Sequence, residues 1–152
     1  MNSPKASLVG AAALLALAHQ AAAQTCAGTP SDNKLSIIVE GITSDKGDIT
    51  STLYPNDQAK FLVAGGSLKV WRTPAQAPET DMCIWLPGPG TYALVVYHDA
   101  NSNGKWDHKL LWFEGIGFSN NPSLGFSKPA LSKVTFDASG AETTLHVRLR
   151  YP

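Results

Sequence analysis

The residues from His98 to Asp107 carry the chemistry that is easiest to read in this chain. Asp99, Asn101 and Asn103 alternate, Gly104 follows the third of them, and Asp107 comes three residues after the glycine, with the Lys105 carbonyl in between. Alternating oxygen side chains closed by a glycine are the grammar of a calcium loop. The cation takes six to eight oxygens at roughly 2.3–2.6 Å, and the glycine lets the backbone turn sharply enough for them to converge. With Asp99 as the first loop position, Leu110 stands where a helix–loop–helix site would place its bidentate glutamate, and no helical pattern flanks the loop. Glu114 is the candidate closing carboxylate. Amides in place of two carboxylates give a site of low charge, with an expected affinity on the order of 10⁻⁴–10⁻³ M. The competing reading is a polar turn in which Asp and Asn bond their own backbone.

Other chemistry is less well specified. Gly117-Phe118-Ser119-Asn120-Asn121-Pro122 reads either as a ligand-contacting loop beside the ion site or as a turn whose asparagines accept left-handed angles. Zinc on His98, His108 and Glu114 lacks compact ligand spacing and a cysteine. A hydrolase built on Ser119 with His98 or His108 lacks a nucleophile elbow. Trp106 and Trp112 could stack on a sugar or another flat ligand, although tryptophans in long loops more often pin the loop to a sheet. The expectation is a non-enzymatic protein that binds calcium through Asp99, Asn101, Asn103, Lys105, Asp107 and Glu114. The alternative is a small-ligand or carbohydrate-binding module that uses the tryptophan-rich segment from 98 to 129, with Ser119, Asn120 and Asn121 in its wall.

These residues need a scaffold and a compartment. Lys5, the apolar run Leu8–Ala18 and the small residues Ala21-Ala22-Ala23 read as a signal peptide over 1–23, which leaves 24–152 as one domain in the periplasm or outside the cell. The run is too short for a spanning helix, and the mature chain is expected to be soluble. Cys26 has no lipid-attachment pattern ahead of it, so with Cys83 it makes an even pair in an exported protein and predicts one disulfide; two separate thiols are the alternative. Twelve basic and twelve acidic residues give a formal net charge of zero. That balance argues against nucleic acid and leaves an envelope or extracellular partner of unknown identity.

The scaffold reads as β-structure throughout. Leu35, Ile37 and Val39 alternate with polar or outward residues, and Ile49–Tyr54 resumes the alternation after a turn at Ser44–Gly47, so the two runs predict a hairpin. Leu68–Arg72 and Met82–Leu86 are further strands. Ala93–Tyr97 is the most apolar and the expected centre of its sheet, with Tyr92 either a tyrosine corner or a core side chain. The segment from His98 to Pro129 is irregular, and its aromatic content excludes disorder. Val134–Asp137 and Thr144–Tyr151 close the list, with Leu145, Val147, Leu149 and Tyr151 facing inward. About seven short strands predict an all-β, antiparallel Greek-key sandwich of immunoglobulin or transthyretin type.

The pairing of His98-Asp99-x-Asn101-x-Asn103-Gly104-Lys105-x-Asp107 with Glu114-Gly115-x-Gly117-Phe118-Ser119-Asn120-Asn121, after the corner at Leu86-Pro87-Gly88 and Tyr92-Ala93, resembles the bacterial exported family known as domain of unknown function 2141. The resemblance spans roughly Leu35 to Tyr151. It implies an exported β-sandwich and no particular activity. Ala100, Ser102 and Trp112-Phe113 depart from the family pattern, which usually has an acidic residue, a glycine and a proline–lysine pair there.

Overall fold

The structure is a computed structural model. It describes residues 25–109, 112–125 and 127–151, and for His108, Lys109, Trp112 and Phe113 the backbone alone. The expected signal peptide lies outside the described residues. Among the described residues no helix is long and apolar enough to cross a membrane.

The strands are β1 (Lys34–Glu40), β2 (Asp48–Pro55), β3 (Lys69–Pro74), β4 (Glu79–Trp85), β5 (Gly90–Asp99), β6 (His108–Lys109), β7 (Trp112–Phe113), β8 (Ile116–Phe118), β9 (Thr135–Ala138) and β10 (Glu142–Arg148). One sheet runs β10-β1-β4. The other runs β3-β2-β5-β8, with β9 paired to the first half of β5. The sandwich expected from the strand pattern is therefore present, and it is mostly antiparallel. The exception is the β1–β10 pair, which is parallel from Lys34 opposite Glu142 to Glu40 opposite Arg148.

The expected β1–β2 hairpin does not form. β1 pairs with β4 and β10, whereas β2 pairs with β3 and β5. The connection over 41–47 is too long for a tight hairpin and crosses from one sheet to the other. Ile42, 4 % exposed, is buried within it as an end plug to the core, and its N–H donates to the Pro78 carbonyl at 3.0 Å. The segment from His98 to Pro129 is likewise not wholly irregular. It holds the β6–β7 pair and β8, strands of two or three residues that are too short to show an alternation.

Between the sheets, Leu35, Ile37 and Val39 of β1 meet Ile49 and Leu53 of β2 and Leu94 and Val96 of β5, all fully buried. Each such side chain contributes roughly 1.5–3 kcal/mol. β5 is apolar on both phases because both of its faces are covered. Ala93 and Val95 point away from the main core into a second cluster with Phe61, Phe118, Leu131 and Val134. This outer cluster is roofed by segments with little regular structure, and Phe61 meets Tyr54 edge-on with ring centres 5.5 Å apart. Tyr92 does both jobs considered for it: its ring joins the main core, and its hydroxyl donates to the Gly88 carbonyl at 2.9 Å, the bond of a tyrosine corner.

Cys26 and Cys83 form the expected disulfide across 57 residues, with Cα atoms 4.4 Å apart. The bond holds Ala27 against the outer edge of β4, where its N–H donates to the Cys83 carbonyl at 2.8 Å and its carbonyl accepts from Trp85 at 2.9 Å. Denatured, unreduced protein should show no titratable thiol. Reduction should lower the melting temperature without abolishing the fold, since closing a loop of this length contributes at most about 4 kcal/mol and the core is made by other residues. Finding two free thiols per chain would refute this.

Candidate functional site

β5 delivers the site, because its last residues, His98 and Asp99, run out of the sheet while still 1 % exposed. His98 is fixed at three points. Its N–H donates to the Gly115 carbonyl at 2.9 Å, and Nε2 lies 2.7 Å from the Lys46 carbonyl. A carbonyl can only accept, so Nε2 carries the proton, and in that tautomer Nδ1 accepts from the Tyr151 hydroxyl at 2.9 Å. Both ring nitrogens of His98 thus serve the fold, and the side chain of His108 lies outside the described residues.

Asp99 organises the backbone that follows it. Its Oδ1 accepts from the Asn103 N–H at 2.9 Å and its Oδ2 from the Gly104 N–H at 2.7 Å. Asn101 and Asn103 make Asx turns, accepting from the N–H groups of Asn103 and Lys105 at 3.1 and 2.8 Å. Their amide nitrogens both reach Asp107 Oδ2, at 2.8 and 2.7 Å, so the heads of Asn101, Asn103 and Asp107 meet at one point. Ser102, at φ 54°, donates to Asp48 Oδ2 at 3.0 Å, bringing in a carboxylate that the sequence did not single out. Gly104 has φ 76°, the sharp turn its position requires.

Glu114, the candidate closing carboxylate, reaches the loop, but it does so through backbone N–H groups. It is 4 % exposed, and its two oxygens accept from the N–H groups of Ala100 at 2.9 Å and Asp107 at 2.8 Å. The carboxylate therefore straps the start of the loop to its end. A second tie runs beside it, since the Trp106 indole N–H donates to the Glu114 carbonyl at 3.0 Å. Among the described residues no group of three or more His, Cys, Asp or Glu side chains is arranged to hold a metal. A cation here would have to draw on the amide and carbonyl oxygens of Asn101, Asn103 and Lys105, together with Asp99 and Asp107 through lone pairs not used by N–H donors.

Ser119, Asn120 and Asn121 stitch the molecule together. The Ser119 hydroxyl is fully buried, accepts from the Leu94 N–H at 3.0 Å and donates to the Val134 carbonyl. Asn120 donates to the Thr135 carbonyl at 2.6 Å. Asn121 imitates a strand. Its amide donates to the His146 carbonyl and accepts from the Arg148 N–H, both at 2.8 Å, along the outer edge of β10. Both asparagines have positive φ, the turn geometry expected of them.

Next to the loop lies a groove of about 920 Å³ that the sequence did not reveal. Leu62, Ile116, Phe118 and Leu124, all members of the outer cluster, form its floor, and Trp106 and Pro129 stand at its sides. Lys128, Arg150 and the ring of Tyr151 complete it. Its lining comes from four distant parts of the chain, so no local pattern could announce it. Trp106 is the exception, having been singled out as a possible ligand contact; the side chain of Trp112 lies outside the described residues.

The fold and the loop define a mostly antiparallel β-sandwich with a strapped polar loop at one end. The chain belongs to the family described as an uncharacterized protein conserved in bacteria, domain of unknown function 2141, whose model matches residues 37–146. No curated protein and no solved structure matches the chain.

Proposed function

We propose that this protein is a non-enzymatic, exported binding module whose ligand site is the groove beside Trp106. The observation that carries this reading is the groove itself, about 920 Å³ of largely apolar lining at the end of the fold where the non-scaffold residues gather. Small-molecule sites are mostly of this kind, concavities of roughly 300–1,000 Å³ with few polar groups. Among the described residues the lining includes no Asn, Gln, Asp or Glu, the side chains best suited to reading sugar hydroxyls, which favours an apolar ligand over a carbohydrate. The neutral probe N-phenyl-1-naphthylamine should bind with a saturable, blue-shifted rise in fluorescence. Leu124→Lys, at a half-buried position on the floor, should remove that rise with the β-sheet circular dichroism unchanged. A rise that does not saturate, or that survives in the variant, would defeat the reading.

A second reading concerns the loop, where Asn101 and Asn103 reach Asp107 through their amide nitrogens, and rotating the two amides would turn their oxygens toward a cation beside that carboxylate. Calcium would bind there weakly and tighten the loop that carries Trp106 to the groove. Millimolar calcium should then change Trp106 fluorescence and raise the melting temperature. Magnesium should act poorly, because it demands a tight octahedron at about 2.0–2.1 Å. Asp107→Ala should abolish the response. If calcium changes neither signal, the loop is a polar turn.

A further inference from the structure

We propose that the groove takes an amphipathic anion, an alkyl chain ending in a carboxylate, with Lys128 and Arg150 holding the charged end; this rests on the groove being the ligand site. The argument is one of charge. Among the described residues, the ionisable side chains lining the groove are these two cations and the Tyr151 phenol. Among the described residues neither has an ion-pair partner, so each is available to an anionic ligand.

Arg150 is held in place by its backbone. Its N–H donates to the Ile116 carbonyl at 2.9 Å and its carbonyl accepts from the Ile116 N–H at 3.0 Å, so its Cα is tied to the groove floor while the guanidinium stays exposed. A planar guanidinium on a fixed stem matches a carboxylate in bidentate fashion, and Lys128 adds a mobile point charge from the flanking segment. The hydroxyl of Tyr151 is already committed to His98, so the tyrosine contributes its ring rather than a polar head. What remains is an apolar trough with positive charge at its margin, and burial of each methylene there would add about 0.8 kcal/mol to an alkyl ligand.

The test uses the mature chain and three probes built on a ten-carbon chain, below their micellar concentrations: decanoate, decanol and decyltrimethylammonium. Titration calorimetry, or displacement of N-phenyl-1-naphthylamine, reads the affinity of each. Decanoate should bind at least about tenfold more tightly than decanol, decyltrimethylammonium should bind weakest, and added salt should erode the preference for decanoate. A Lys128→Ala/Arg150→Ala double variant should bring decanoate down to the affinity of decanol and leave decanol unchanged. The Arg150 backbone bonds persist in that variant, so loss of fold is not expected. Equal affinity for decanoate and decanol would overturn the charge assignment while leaving the groove reading intact. Binding of none of the three would defeat both. Flotation with anionic phospholipid vesicles in the absence of any binding of monomeric decanoate would assign the cations to a membrane surface and overturn the proposal.

Discussion

Gly47→Ala is expected to lower the melting temperature by about 10 °C, a large effect for a single added methyl. Gly47 has φ +71°, and a Cβ there would lie 2.0 Å from the Asp99 carbonyl oxygen and 2.8 Å from backbone atoms of Ala100. Those neighbours are main chain at the end of β5 and cannot rotate away. The left-handed backbone adds roughly 1–2 kcal/mol of strain for any residue with a Cβ. Relief requires the turn at 45–47 to lift off, which would pull the Lys46 carbonyl from His98 and the Gly47 carbonyl from the Ala75 N–H that it accepts from at 3.0 Å. A total of about 3 kcal/mol follows. Thermal unfolding of the variant checks it, and a melting temperature within about 2 °C of wild type would show that the turn is far more pliable than this geometry implies.

The second large effect should come from Glu114→Ala. The substitution strands the Ala100 and Asp107 N–H groups, each now bonded to a carboxylate oxygen, at a cost of about 1–3 kcal/mol apiece. Glu114→Gln should cost about half as much, because the amide keeps one acceptor and turns its NH₂ toward the other donor. Hydrogen exchange separates this from a general loss of stability. Ala100 and Asp107 should lose protection in the alanine variant well before the amides of β1 and β5 do. Unchanged protection at those two amides would refute the strapping role. The outcome does not depend on calcium, since both bonds exist in the protein alone.

Strand phases were legible wherever one face of a strand is buried and the other is wet. Leu35, Ile37 and Val39, and Leu145, Val147 and Leu149, fall on the faces their alternation assigned. The turn at the loop was legible because turn chemistry is local, whereas the role of Glu114 as a strap on the Ala100 and Asp107 N–H groups was not. Nor was partner choice. Nothing in Lys34–Glu40 says that it lies parallel to a strand a hundred residues later rather than folding back on its neighbour, since the same alternation serves either arrangement. Ser119 and Asn121 look like ligand contacts in sequence because they are polar and clustered; their bonds to Leu94, Val134, His146 and Arg148 depend on where two sheets come to lie. The groove was hidden for the same reason, as Leu62, Ile116 and Arg150 are neighbours only after the sandwich has closed.

The stitches along the sheet margins have a colloidal consequence. Unpaired strand edges template the addition of foreign strands, and each margin of this sandwich carries its own guard. Asn121 occupies the outer rim of β10, and Arg150 pairs with Ile116 beside β8. β3 exposes Lys69 and Arg72 and ends on Pro74. β4 is shielded by Ala27, which stays there because Cys26 is bonded to Cys83. Cutting that one covalent link uncovers a strand edge while the core remains folded, so for this chain a reducing environment threatens self-assembly before it threatens unfolding.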